Sequence, residues 1–274
     1  MSFQLAHFAI GEGANVALLL HGALGSGQNF RSLAKRLQRA YPSWKFVCAD
    51  LRHHGASHPA PGPNTLASCT NDLQRLAGLA GDPQVVIGHS FGGKVALDFA
   101  ASRPEGLRQV WVLDSDPGVI SPGPRGSAVG EVEAVMEGVR KVPQPIAKRD
   151  DVVSHLTEQG FSMMLSRWMT TNLRRVGSAY EWTFDLDSIG ELLVDYRARD
   201  LWEFLEDCSK STDVHIVVAD RSDRISPHTR ARAESLPAAS RVSTHRLENS
   251  GHWVHVDNPD GLMNFFGQHW PASE

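Results

Sequence analysis

The chain has 274 residues, 41% hydrophobic and 21% charged, the balance of an ordinary globular protein long enough to bury the core of one large α/β domain. A net charge of −4 with no basic run or face excludes a nucleic-acid footprint. Three cysteines, Cys48, Cys69 and Cys208, are too few and too scattered for a disulfide framework or a metal cluster.

Residues Met1–His7 show no basic start followed by a long apolar run, so no signal peptide is expected. The apolar run Val16–Leu20 is too short to span a bilayer, and the expected compartment is the reducing cytoplasm. Phe3–Ile10 alternates and predicts an edge strand, turned by Gly11-Glu12-Gly13. Val16–Leu20 predicts a buried strand that runs into His21-Gly22-Ala23-Leu24-Gly25-Ser26. Loops at the carboxyl ends of strands are where open α/β sheets place their sites, and glycines there let backbone N–H groups face a cleft. Phe30, Leu33, Ala34 and Leu37 mark one face of a helix.

Lys45–Asp50 predicts the next strand, leading into Leu51-Arg52-His53-His54-Gly55-Ala56-Ser57. The paired histidines invite a metal reading. No carboxylate or cysteine follows at ligand spacing, so the loop reads instead as a structural turn on which Asp50 and Arg52 bond locally. Leu66–Leu79 reads as a helix.

Val85–Ile87 then predicts a buried strand, followed by Gly88-His89-Ser90-Phe91-Gly92 and by Val95, Ala96, Leu97 and Phe99 at helical spacing. Strand, G-x-S-x-G, helix is the context in which such a serine is a nucleophile: the tight turn strains its backbone and lifts its hydroxyl above the sheet. The bland alternative is that Ser90 caps the helix.

Leu107–Leu113 is a further buried strand, ending at Asp114-Ser115-Asp116-Pro117-Gly118. After the proline- and glycine-rich stretch Pro117–Gly126 the strand–helix alternation stops. Val129–Val142, Val152–Gln159, Met163–Leu173 and Ile189–Leu205 read as helices of an inserted cap without a buried strand. Phe161, Met163, Met164, Trp168, Met169, Trp182, Phe184 and Trp202 are available to line an apolar pocket, though more than half are expected to form the cap's own core. Strands resume at Val214–Val218, ending in Ala219–Pro227, and at Ser240–Leu247, which leads to Gly251-His252-Trp253. A closing helix holds Leu262–Phe266. Strands alternating with helices imply a mostly parallel sheet.

A serine nucleophile needs a base, and the base needs a carboxylate; in this architecture the chain order is Ser, Asp or Glu, His. The reading is Ser90 as nucleophile, His252 as base and Asp223 as its orienter. Asp114 is the possible alternative acid, with Asp116 and Asp220 behind it. The oxyanion hole is assigned to the backbone N–H groups of Ala23 and Phe91, with Leu24 a further donor. His255 is the nearest rival base. His89 is expected at the sheet or the cleft wall, His21 as a brace for the oxyanion loop, and Lys94 at the surface or behind the nucleophile. Leu24, His89, Trp168 and Trp253 are the pocket candidates. No cofactor or metal motif stands out.

Together, His21-Gly22, Asp50-x-Arg52-x-x-Gly55-x-Ser57, Gly88-His89-Ser90-Phe91-Gly92-Gly93, Ser222-Asp223 and Gly251-His252-Trp253 resemble the α/β-hydrolase fold superfamily over nearly the whole chain outside the cap. Leu24-Gly25-Ser26, Asn29-Phe30, Gly93-Lys94 and Thr171-Asn172-Leu173 with Trp182-x-Phe184 are most similar to small bacterial carboxylesterases and their mitochondrial hydrolase-domain relatives. The resemblance implies a mostly parallel central sheet flanked by helices, with a helical cap inserted after the sixth strand. It places the hydrolase core in residues 1–118 and 208–274 and the cap in 119–207. It implies hydrolysis of a small-molecule ester or thioester through an acyl-enzyme, without cofactor. Some of those relatives lack an acid matching Asp223 and use the one matching Asp114; this chain has both. Rival readings are a carbon–carbon bond hydrolase, lyase or acyltransferase on the same triad, or a non-hydrolytic small-molecule receptor.

Overall fold

The computed structural model describes residues 3–121 and 128–272, so part of the Pro117–Gly126 stretch lies outside the described residues. Seven strands form one sheet: β1 (His7–Ile10), β2 (Asn15–Leu20), β3 (Trp44–Ala49), β4 (Pro83–His89), β5 (Gln109–Leu113), β8 (Asp213–Ala219) and β9 (Val242–Leu247). The spatial order is β1-β3-β2-β4-β5-β8-β9, parallel throughout except for β1, which runs antiparallel to β3. The interposed segment between β5 and β8 carries a separate hairpin, β6 (Leu173–Val176) with β7 (Ala179–Trp182).

Central strands such as Val16–Leu20 are apolar at every position because both faces are covered. Ala17 and Leu19 face α1 (Arg31–Ala40) and the C-terminal helix α11 (Pro259–His269). Leu18 and Leu20 face α2 (Leu66–Ala80), α3 (Phe91–Ala101) and, through them, the interposed segment. That segment holds helices α4 (Ala128–Arg140), α5 (Arg149–Glu158), α6 (Met163–Met169), α7 (Leu186–Ala198) and α8 (Trp202–Glu206). Helices α9 (Pro227–Glu234) and α10 (Val254–Asp257) follow β8 and β9.

Three expectations are corrected here. The cap segment leaves the sheet after the fifth strand in chain order, not the sixth, because β1 alone precedes the first parallel strand. The helix expected over Met163–Leu173 stops at Met169 and gives way to the hairpin, whose two-residue Gly177-Ser178 turn places Gly177 at φ 61°. The helix expected over Ile189–Leu205 is split into α7 and α8. At this break lies Lys94, expected at the surface or behind the nucleophile, which is fully buried. Its ammonium donates to the carbonyls of Gly118, Tyr196 and Arg199 at 2.6, 2.9 and 3.2 Å, capping the C-terminus of α7 and tying the cap to the helix behind Ser90. Burial lowers its pKa to about 8.

Among the described residues no helix is long and apolar enough to cross a membrane. All three cysteines are free thiols.

Candidate active site

The sheet register assembles the site. His89 at the end of β4 pairs with Leu113 at the end of β5, and Leu113 with Val217 of β8. The ladder runs one residue further: the Ser90 N–H donates to Leu113 O at 3.0 Å and the Asp114 N–H to Val217 O at 2.8 Å. Ser90 and Asp114 therefore leave adjacent strands side by side. The strand order reverses between β2 and β4, which puts the His21–Leu24 loop beside Ser90 at the topological switch point.

Ser90 sits at φ 53° and ψ −119°, a conformation an L-residue adopts only under constraint. The constraint is a close crossing of strand and helix: a Cβ on Gly88 would run into the Gly92 carbonyl, and one on Gly92 into the Leu20 carbonyl. The Ser90 side chain makes no capping bond to α3, so the helix-cap reading is set aside and the hydroxyl is left to the cavity it lines.

His252 Nδ1 lies 2.8 Å from Asp114 Oδ2. The carboxylate brought to the histidine is thus the alternative acid, not Asp223. Asp114 turns sharply just past β5, at φ 50°, and is 1% exposed. Its oxygens also accept from the Ala219 N–H at 3.2 Å and the Ser222 hydroxyl at 2.5 Å, so it is fixed on all sides. Burial raises its pKa to about 6 against those hydrogen bonds. Asp223 lies beyond the β8 end, exposed, on the wall of a small cavity that Ser90 and Asp114 share. Asp116 and Asp220 are engaged structurally: Asp116 accepts from Gly118 N–H and the Thr229 hydroxyl, Asp220 from Ser250 N–H.

Burial lowers the His252 pKa, which keeps the imidazole neutral and basic near pH 7. With Nδ1–H donated to Asp114, Nε2 carries the lone pair a general base needs. The loop is held by His89, whose Nε2–H donates to the His252 carbonyl at 2.7 Å. His255 packs against Phe30 and His89, with ring centroids 4.8 and 4.9 Å away, and forms no pair with Asp114.

The loop expected to form the oxyanion hole is held from both ends of Leu24, itself strained at φ 59°. The Leu24 N–H donates to His54 Nε2 at 3.1 Å, which removes it as an oxyanion donor. The Leu24 carbonyl accepts from Asn172 Nδ2 at 2.8 Å, a contact from the cap. His21 braces the same loop: its Nε2 accepts from Leu51 N–H at 2.9 Å and its Nδ1–H donates to Gly22 O at 2.8 Å. Burial lowers His21 to about 4 and His54 to about 3, in keeping with two neutral rings that each accept a backbone N–H. No backbone partner takes the N–H of Ala23 or Phe91 among the described residues, and both residues line the small cavity, about 60 Å³, beside Ser90.

The main cavity, about 350 Å³, opens from Ser90 and His252 toward the cap. All four pocket candidates, Leu24, His89, Trp168 and Trp253, line it, with the Trp168 and Trp253 rings 5.4 Å apart. Of the eight apolar cap residues singled out, Met164 and Trp168 reach the cavity. Phe161, Met169, Trp182, Phe184 and Trp202 pack into the core, and Met163 is exposed. The sequence reading missed Arg224 and Glu131, an ion pair on the cavity wall; neither a charged residue in a loop nor one in a helix's first turn carries a signal of the pocket it joins.

The fold and the arrangement around Ser90 define a hydrolase-type α/β protein. A model of the Alpha/beta hydrolase family matches residues 17–264, and the chain belongs to that family of enzymes. It is 31% identical over 254 residues to the Mus musculus protein named sn-1-specific diacylglycerol lipase ABHD11, covering 90% of this chain and 78% of that one. It is 23% identical to Esterase YbfF of Escherichia coli strain K12, over 90% and 89% of the two chains. A solved structure described as a marine microorganism esterase superimposes with a TM-score of 0.83 at 21% identity, covering 97% of this chain and 99% of that one.

Proposed function

We propose that this chain is a serine hydrolase that cleaves a carboxylic ester or thioester through an acyl-enzyme, with Ser90, His252 and Asp114 as its triad. The observation that carries the reading is the 2.8 Å His252–Asp114 pair, with His252 on the wall of the cavity that the strained Ser90 also lines. The names of its relatives, a lipase and an esterase, support ester bonds as the substrate class.

In the reaction, His252 Nε2 takes the Ser90 proton as the hydroxyl oxygen attacks the carbonyl. Asp114 holds the ring and stabilises the imidazolium. The Ala23 and Phe91 N–H groups receive the developing oxyanion. Collapse expels the alcohol or thiol, which takes the proton from His252. Water, deprotonated by His252, then releases the acid and restores the serine. The apolar wall of Val132, Met164, Leu165 and Trp168 suits an acyl chain of moderate length.

A p-nitrophenyl ester series from acetate to laurate tests this. Wild type turns over at least one ester with a burst, and Ser90→Ala loses at least about 10⁴-fold in kcat. Turnover of none of the series, or retained turnover in Ser90→Ala, would contradict the reading.

A further inference from the structure

We propose that His53, His58 and Asp185 form a binding site for a zinc-class divalent cation that joins the core to the cap. One donor atom from each of the three lies within 4.8 Å of the others. Only His53 of the paired histidines belongs to it; His58 lies four residues past the pair, and the carboxylate comes from far along the chain, at the start of α7.

The donors are prepared for a metal. His53 is 3% exposed, and its Nδ1 is buried without a hydrogen-bond partner; the same holds for the Nδ1 of His58. Two buried, unpartnered imidazole nitrogens are costly unless something satisfies them. The tautomer of His53 follows from its neighbours. Its Nε2 is 2.6 Å from Asn64 Oδ1, and Asn64 Nδ2 donates to Glu191 Oε2 at 2.8 Å, which fixes the amide orientation. Nε2 therefore carries the proton, and Nδ1 presents its lone pair. An imidazole that donates its far N–H to an oxygen and offers the other nitrogen is how metal-ligating histidines are held.

Asp185 keeps room for the ion. Its Oδ1 accepts from the Asp187 and Ser188 N–H groups, and its Oδ2 from the Ser188 hydroxyl at 2.9 Å, which leaves one lone pair on Oδ2. Two imidazoles and a carboxylate are a borderline donor set that suits Zn²⁺ and its first-row neighbours rather than Ca²⁺ or Mg²⁺. Metal bonds of about 2.1 Å span donors up to roughly 4.2 Å apart. The remainder closes by rotation of the His58 ring, which lies on a loop and is only partly buried. The Asp185 N–H already donates to His53 O at 3.2 Å, so the ion would reinforce an existing junction. The next residue, His54, holds the oxyanion loop through Leu24.

The test is titration of the full chain with Co²⁺ followed by its visible spectrum, and with Zn²⁺ followed by melting temperature. Wild type and His252→Ala bind one Co²⁺ per chain with d–d bands, and Tm rises by roughly 4–8 °C at a hundredfold excess of Zn²⁺ over Kd. His58→Ala and Asp185→Asn lose both signals. Asparagine remains a good helix N-cap, and His58→Ala leaves ester turnover without metal unchanged, so a loss reports the ligand and not the fold. Binding that survives in both variants, that disappears instead in His252→Ala, or that is absent in wild type would overturn the site.

Discussion

The core wall of the cavity, His21 to Leu24 with His89 and Ser90, is fixed by hydrogen bonds from the loops that follow β3 and β9. The facing cap wall of Val132, Met164, Leu165 and Trp168 is apolar, partly open and contributes no member of the proposed triad. The contrast separates two tasks. Chemistry needs donors and acceptors held to fractions of an ångström, and parallel strand ends supply that rigidity. Substrate choice needs shape and apolar area, which helices can vary without disturbing the strands. Polar contacts join the core to the cap, among them Asn172 on Leu24, Arg224 with Glu131, Lys94 on the end of α7, and the Asp185–His53 junction.

Among the contacts between the walls, cutting the one at Leu24 should cost the most activity. Asn172→Ala frees the Leu24 carbonyl and loosens the Ala23 N–H, so kcat falls by roughly 10–100-fold, a fraction of what losing an oxyanion donor costs. KM changes far less. A change confined to KM would mean that Asn172 shapes the pocket and not the oxyanion loop.

Acid should act on the core wall alone. Burial places the Asp114 pKa near 6, and protonation removes the acceptor that orients His252. The group is active when ionised, so kcat/KM falls as pH drops through about 6, while His252 itself stays neutral well below that. In Asp114→Asn this limb disappears. A limb that persists unchanged in that variant would assign it to another group.

The smallest effect is expected on the cap wall. Trp168→Ala removes apolar surface facing the acyl chain, so the preference for long over short esters drops by roughly tenfold while turnover of the acetate ester stays within about threefold. An equal loss on every chain length would place Trp168 in the chemistry rather than in the choice of substrate.

The same division explains what could be read from the sequence. The Ser90 elbow was legible because backbone crossing demands glycine at positions 88 and 92, and His252 because its loop follows the last strand. The choice between Asp114 and Asp223 was not legible. Both lie in loops past strands, and only the register and the φ 50° turn at Asp114 decide which carboxylate meets the imidazole. Lys94 carries a charge that left it open between the surface and a place behind the nucleophile; two carbonyls at the end of α7 and that of Gly118 solvate it there. The β6–β7 hairpin did leave a signal, Gly177-Ser178 between Arg-Arg-Val and Ala-Tyr-Glu-Trp, but it was outweighed by the helical periodicity around it. Of the cap helices, α4 and α5 were legible from their period, while the ends of α6 and α7 were not, and the identity of the two residues that reach the cavity depended on packing.

The most direct measurement is kcat/KM of Asp114→Asn beside Asp223→Asn on the best ester of the series. Asp114→Asn should lose about 10³–10⁴-fold, as expected when the histidine loses its orienting carboxylate, and Asp223→Asn less than about tenfold. A severe loss in Asp223→Asn with Asp114→Asn near wild type would contradict the triad and return the acid to the loop after β8.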